Sequence, residues 1–257
     1  MSGTWVRRLR TAEAGAAAQL LCFPCAGGAA GGYARLARAL APDLDVHAVQ
    51  YPGRQDRLAE PPARDLAGIV DHVVRELPLH CAAERPLALF GHSMGALLAF
   101  ETARRLERDR SPFAPVRLFL SGRASPVLGP RADDFLRDDA TLLAQMRRLG
   151  GAEPQVLDDP DMRDLIMPSV RADHALLMRY TWDRGTLRDC PFTVLVGDRD
   201  PVVTVAEADR WRQLTSGPTR TVSFPGGHFY LNDRAPELAA TVREALFPAG
   251  RANASGG

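Results

Sequence analysis

The sequence contains no lysine: all 32 basic residues among its 257 are arginine. A phosphate loop ending in G-K-[ST] needs a lysine, and so does an enzyme working through a Schiff base or pyridoxal phosphate, so those classes are excluded. Neither sign of charge dominates. The 31 acidic residues bring the formal net charge to +1, which leaves no general electrostatic footprint for nucleic acid or a membrane surface. No run approaches ~20 apolar residues, so no transmembrane helix is expected. Arg7, Arg8 and Arg10 ahead of an apolar stretch imitate a signal peptide, but Glu13 interrupts that stretch and Pro24 ends it. The expected setting is reducing and cytoplasmic. Only four cysteines are present. Cys22 and Cys25 form a C-x-x-C, but one lies in an apolar run and the other in a glycine-rich loop, so free thiols are expected rather than a redox or metal pair. No H-x-x-E-H or related spacing occurs, and neither metal nor cofactor is expected.

What is present alternates. Residues 19–23 read as a strand, followed by a small-residue loop over 24–32 and a helix near 33–41. Residues 45–50 read as the next strand and 51–62 as a loop. Leu66, Ile69, Val70, Val73 and Leu77 recur at helical spacing. Further strands are predicted at 87–90, 116–121, 192–196 and 221–224, with helices over 96–108 and 235–246 and a flexible tail over 248–257. Strand and helix in alternation mean a mostly parallel sheet with helices on both faces, and the length suits one such α/β domain. Residues 123–190 break the pattern. So long a stretch is expected to hold its own helices, over 139–149 and 161–182, the second kinked or broken at Pro168. An insertion there would sit over the site, so it reads as a helical lid, with Met146, Leu176 and Met178 lining a pocket.

The strongest chemical signal is Gly91-His92-Ser93-Met94-Gly95, a G-x-S-x-G between a predicted strand and a predicted helix. A strand that turns this sharply into a helix leaves no room for a Cβ on either side and exposes the serine Oγ above the new helix dipole. A serine nucleophile needs a base, and the base an orienting acid, in the chain order Ser, Asp or Glu, His. His174 and His228 are the only histidines after Ser93. His228, in a Gly226-Gly227-His228 loop past the last strand, is the better placed; His174 lies within the insertion. Gly197-Asp198-Arg199-Asp200-Pro201 supplies the acid. Both aspartates qualify by composition, and the longer reach favours Asp200. The oxyanion hole is expected from the backbone N–H of Met94 and one from the loop starting Pro24-Cys25-Ala26-Gly27-Gly28.

Taken together, these residues resemble the type II thioesterases of polyketide and nonribosomal peptide synthesis. The resemblance rests on FPCAGG at 23–28, YPGRQDR at 51–57, GHSMGALLAFE at 91–101, SGR followed by ASP at 121–126, RAD at 171–173 and GGHF at 226–229. It implies an α/β-hydrolase fold, with Ser93 as nucleophile, Asp200 as acid, His228 as base, and Met94 and Ala26 as oxyanion donors. It also implies a partner, an acyl- or peptidyl-carrier protein whose phosphopantetheine arm holds the thioester. The expected task is hydrolysis of misprimed or stalled acyl groups by a stand-alone editing enzyme. An esterase or a product-releasing thioesterase of the same fold is the alternative, and a non-catalytic binding protein of that fold the third.

Overall fold

The computed structural model describes residues 3–10, 15–41, 43–130, 138–151 and 154–248. The predicted tail, from residue 249 on, lies outside them. Seven strands make one sheet: β1 (Val6–Arg10), β2 (Ala18–Phe23), β3 (Leu44–Val49), β4 (Leu87–His92), β5 (Arg117–Ser121), β6 (Phe192–Gly197) and β7 (Thr219–Phe224). Their order across the sheet is β1-β3-β2-β4-β5-β6-β7. β1 runs antiparallel to β3, and every other neighbouring pair is parallel. β2, β3, β4 and β6 are buried along their whole length, as strands covered on both faces must be. Side chains alternate between the two faces. Leu21 and Phe23 enter one core with α2 (Leu66–His80) and α3 (Met94–Arg108). Leu20 and Cys22 enter the other with α1 (Ala34–Leu40) and a closing helix, Ala235–Leu246.

Sequence reading finds no element before residue 19, and β1 corrects it. Only Val6 of β1 is fully buried, and its arginines lie half-exposed or exposed. An edge strand carrying charge on its free side shows no apolar alternation from which to recognise it.

The insertion contains α4 (Asp139–Leu149), α5 (Pro154–Asp158) and α6 (Pro160–Arg179). α6 is continuous through Pro168, where a break was one expectation. Met167 and Val170, flanking that proline, pack on Leu142 of α4 in a small core of their own, and such packing compensates for a missing helical hydrogen bond. The chain leaving α6 is pinned to α3: the Tyr180 hydroxyl donates to Glu101 Oε1 at 2.8 Å, and Arg104 spans Glu101 and Asp183 at 2.8 and 2.6 Å. Among the described residues the remaining α-helices are α7 (Val205–Asp209), α8 (Tyr230–Asp233) and α9 (Ala235–Leu246). No described helix is long and apolar enough to cross a membrane.

His47 lies fully buried on β3, and burial, followed by the Arg8 charge, pulls its pKa down to about 4. The unfolded chain, near ~6.5, takes up the proton first as pH falls. The neutral ring's contribution to stability is therefore complete above ~6.5 and is lost as pH drops towards the folded value. Tm measured from pH 7 to pH 5 is expected to fall, with a shallower slope in His47→Leu. An unchanged slope would assign the acid sensitivity to other groups.

Candidate active site

β4 lies in the middle of the sheet and passes into α3 through Ser93, held at φ 54° and ψ −117°. A non-glycine residue there is strained. The surroundings enforce the turn. The Ser93 N–H donates to the Ser121 carbonyl at 2.8 Å. A Cβ on Gly91 would lie 2.0 Å from the Gly95 carbonyl oxygen, and one on Gly95 would lie 1.9 Å from that of Phe23. Both glycines of the pentapeptide are thus required by contact with backbone. The same packing brings the first turn of α3, at Gly95, against the end of β2 and Pro24.

The acid and histidine loops meet at the ends of β6 and β7. His228 is 2% exposed, and its Nδ1 lies 2.8 Å from Asp200 Oδ2, whose side chain is completely buried. The other oxygen of Asp200 accepts the N–H groups of Val202 and Val203 at 2.8 and 3.3 Å. Those bonds leave Oδ2 aimed at the imidazole. Asp198 does different work. It is half-exposed, and its carboxylate accepts the Gly226 N–H at 2.9 Å, which ties the histidine loop to β6. Burial of an acid that accepts two backbone donors and one ring nitrogen is the arrangement that fixes a histidine's tautomer and orientation.

One cavity of about 210 Å³ is lined by Ser93, His228, Cys25 and Ala26, by Met146 of α4 and by Val170, His174 and Leu177 of α6. Of the residues expected from the sequence, Ala26 and Met146 line this cavity, and Leu176 and Met178 do not. Residues 170, 174 and 177 follow helical spacing along one face of α6, whereas Leu176 turns into the main core and Met178, half-buried and one turn beyond His174, is not among the residues that line the cavity. His174, read from sequence as a residue of the insertion and the less well placed of the two candidate bases, lines the cavity; its i+4 spacing from Val170 was the available signal. Gly151 also lines the cavity, and a Cβ there would lie 2.3 Å from the Phe229 ring, so the end of α4 closes against the histidine loop.

His92 points away from the cavity-lining set. Its Nδ1 lies 2.9 Å from Ser121 Oγ, which lies 2.7 Å from the Tyr230 hydroxyl. Its ring stands 4.8 Å from that of His228, and burial, followed by the His228 charge, keeps it far below the ordinary histidine range and hence neutral. Cys22 and Cys25 are free thiols. Burial, with the Asp173 carboxylate second, pushes Cys25 up to about 11, so the sulfur facing the cavity is protonated at neutral pH and a poor nucleophile.

Residues 18–246 match the family model described as a thioesterase domain. The probable cadicidin biosynthesis thioesterase of Streptomyces griseus is 42% identical over 245 residues, covering 95% of this chain and 66% of that protein. Thioesterase PikA5 of Streptomyces venezuelae is 40% identical over 251 residues, covering 95% of this chain and 86% of the relative. Among solved structures, the type II thioesterase BorB from the borrelidin biosynthetic cluster superposes with a TM-score of 0.84 at 40% identity, covering 96% of this chain and 99% of that one.

Proposed function

The chain belongs to the type II thioesterases of polyketide and nonribosomal peptide biosynthesis, and from that membership we propose that it hydrolyses acyl thioesters carried on the phosphopantetheine arm of a carrier protein. The observation that carries the catalytic assignment is the buried His228–Asp200 contact of 2.8 Å on the cavity that Ser93 also lines. In this reading Ser93 Oγ attacks the thioester carbonyl while His228 Nε2 takes its proton and Asp200 holds the Nδ1–H. The Ala26 and Met94 N–H groups receive the oxyanion. The tetrahedral species collapses, the carrier thiol leaves with the proton from His228, and Ser93 keeps the acyl group. Water, deprotonated by His228, then frees the acid and restores the serine. A thiolate is a good leaving group, so the first half-reaction needs little help beyond the oxyanion hole.

The helices α4 and α6 serve in this reading as a cover over the acyl pocket. The cavity volume, about 210 Å³, is below the ~300 Å³ at which pockets begin to enclose drug-sized ligands, which suits a short acyl group. Met146→Trp is expected to shift preference towards shorter chains, since each displaced methylene is worth ~10-fold or more in specificity. Tm should hold within a few degrees. A profile unchanged across acetyl, butyryl and hexanoyl carriers would take Met146 out of the pocket.

The proposed substrate class is tested by matched pairs: one acyl group on a phosphopantetheinylated carrier protein and the same acyl group in a small free ester. A kcat/KM at least about 100-fold higher on the carrier supports the reading. Equal values would favour a general esterase.

A further inference from the structure

Asp173 of α6 and Arg54 of the loop after β3 form an ion pair with no part in the chemistry above. They are 2% and 5% exposed. The guanidinium is bidentate, with Nη1 and Nη2 donating to Asp173 Oδ2 and Oδ1 at 2.6 and 2.8 Å. Each partner also holds the loop after β2. Asp173 Oδ2 accepts the Gly27 N–H at 2.8 Å, and Arg54 Nη1 donates to the Gly28 carbonyl at 3.0 Å. The same loop is held upstream, where the hydroxyls of Tyr33 and Tyr51 donate to the carbonyls of Phe23 and Pro24 at 2.7 and 3.1 Å. Val170, on the same face of α6 as Asp173, abuts Gly27, where a Cβ would lie 2.8 Å from Val170 Cγ2.

Stability does not require such a pair. A buried salt bridge replaced by apolar residues of similar volume is often as stable or more so. What apolar residues cannot do is hold the N–H of one residue and the carbonyl of the next. Here the N–H that Asp173 holds belongs to the peptide joining Ala26 to Gly27. With that peptide fixed, the plane carrying the Ala26 N–H has a single Cα about which to turn.

We propose that Arg54 and Asp173 are positioning residues that aim the Ala26 N–H into the oxyanion hole and make this aim depend on α6 being seated over the cavity. The site is then complete only when covered, so acyl transfer is confined to the state that excludes bulk water. This inference rests on the proposed oxyanion role of Ala26.

The test compares wild type with Arg54→Met/Asp173→Leu, which removes the pair while keeping an apolar filling, and with Asp173→Asn, which keeps the volume. The readouts are Tm, kcat and KM on an acyl carrier protein, and affinity for an acyl trifluoromethyl ketone, whose serine adduct places an oxyanion in the hole. Loss of an aimed donor costs ~10²–10³-fold in kcat, and misplacement of about an ångström ~10²-fold. Expected for the double variant are a kcat about 10- to 100-fold lower, a KM within about threefold, and ketone affinity reduced in step with kcat, at a Tm near wild type. Asp173→Asn should show a smaller loss with the same parallel. If the double variant does not fold, Asp173→Asn decides by whether kcat and ketone affinity fall together. Unchanged kcat and ketone affinity in a folded variant would overturn the proposal, as would a kcat that falls only with the folded fraction. Wild-type turnover and its dependence on Ser93 are measured separately, so that result would leave the proposed function standing.

Discussion

Ser93→Ala is expected to lower kcat on acyl carrier substrates by ~10⁴-fold or more, since removal of a triad nucleophile leaves only binding and the oxyanion hole to accelerate attack by water. The substitution removes one oxygen and keeps the Cβ that the turn already accommodates, so Tm and carrier affinity should be unchanged. The assay is release of free acid from a loaded carrier, alongside a binding measurement on the same variant. Residual activity above about 1% would point to a second nucleophile in the same cavity. Cys25 is the side chain placed to supply one, although a thiol pushed up to about 11 is a weak candidate. Combining Ser93→Ala with Cys25→Ala would then decide the source.

The second large effect separates two aspartates only two residues apart. Asp200→Asn is expected to cost ~10⁴-fold in kcat, because an amide in place of Oδ2 offers His228 the wrong partner and the wrong tautomer. Asp198→Asn keeps an oxygen for the Gly226 N–H and should cost less than about tenfold. The geometry makes the contrast sharp, since the Asp200 side chain is fully buried against the imidazole and that of Asp198 is half-exposed and holds the Gly226 N–H instead. Comparable losses in both would mean that the loop, rather than one carboxylate, sets the histidine.

Much of this was legible in the sequence, for reasons that differ by residue. A Cβ on either glycine of the elbow would collide with backbone, so the turn admits only glycine at both places and the pentapeptide displays it. The buried strands of the parallel sheet announce themselves as apolar runs. The order Ser93, Asp200, His228 follows chain topology. Where the reading fell short, the missing information was long-range. β1 is a strand because β3 offers it an edge, and its arginines conceal that. Leu176, Leu177 and Met178 are indistinguishable by type, and only the seating of α6 decides that Leu177 meets the cavity. Arg54 and Asp173 stand 119 residues apart; each sits in a motif visible in the sequence, but nothing in either motif says that the two touch.

The account stands or falls on Ser93 as the nucleophile of carrier-thioester hydrolysis. The most direct measurement is stoichiometric labelling with a fluorophosphonate, followed by peptide mapping and an assay of the labelled protein on acyl carrier substrate. The account predicts one label per chain, on the peptide containing Ser93, with turnover lost in proportion to labelling. A fully labelled protein that still hydrolyses the carrier thioester, or a label on another residue accompanied by loss of activity, would contradict it.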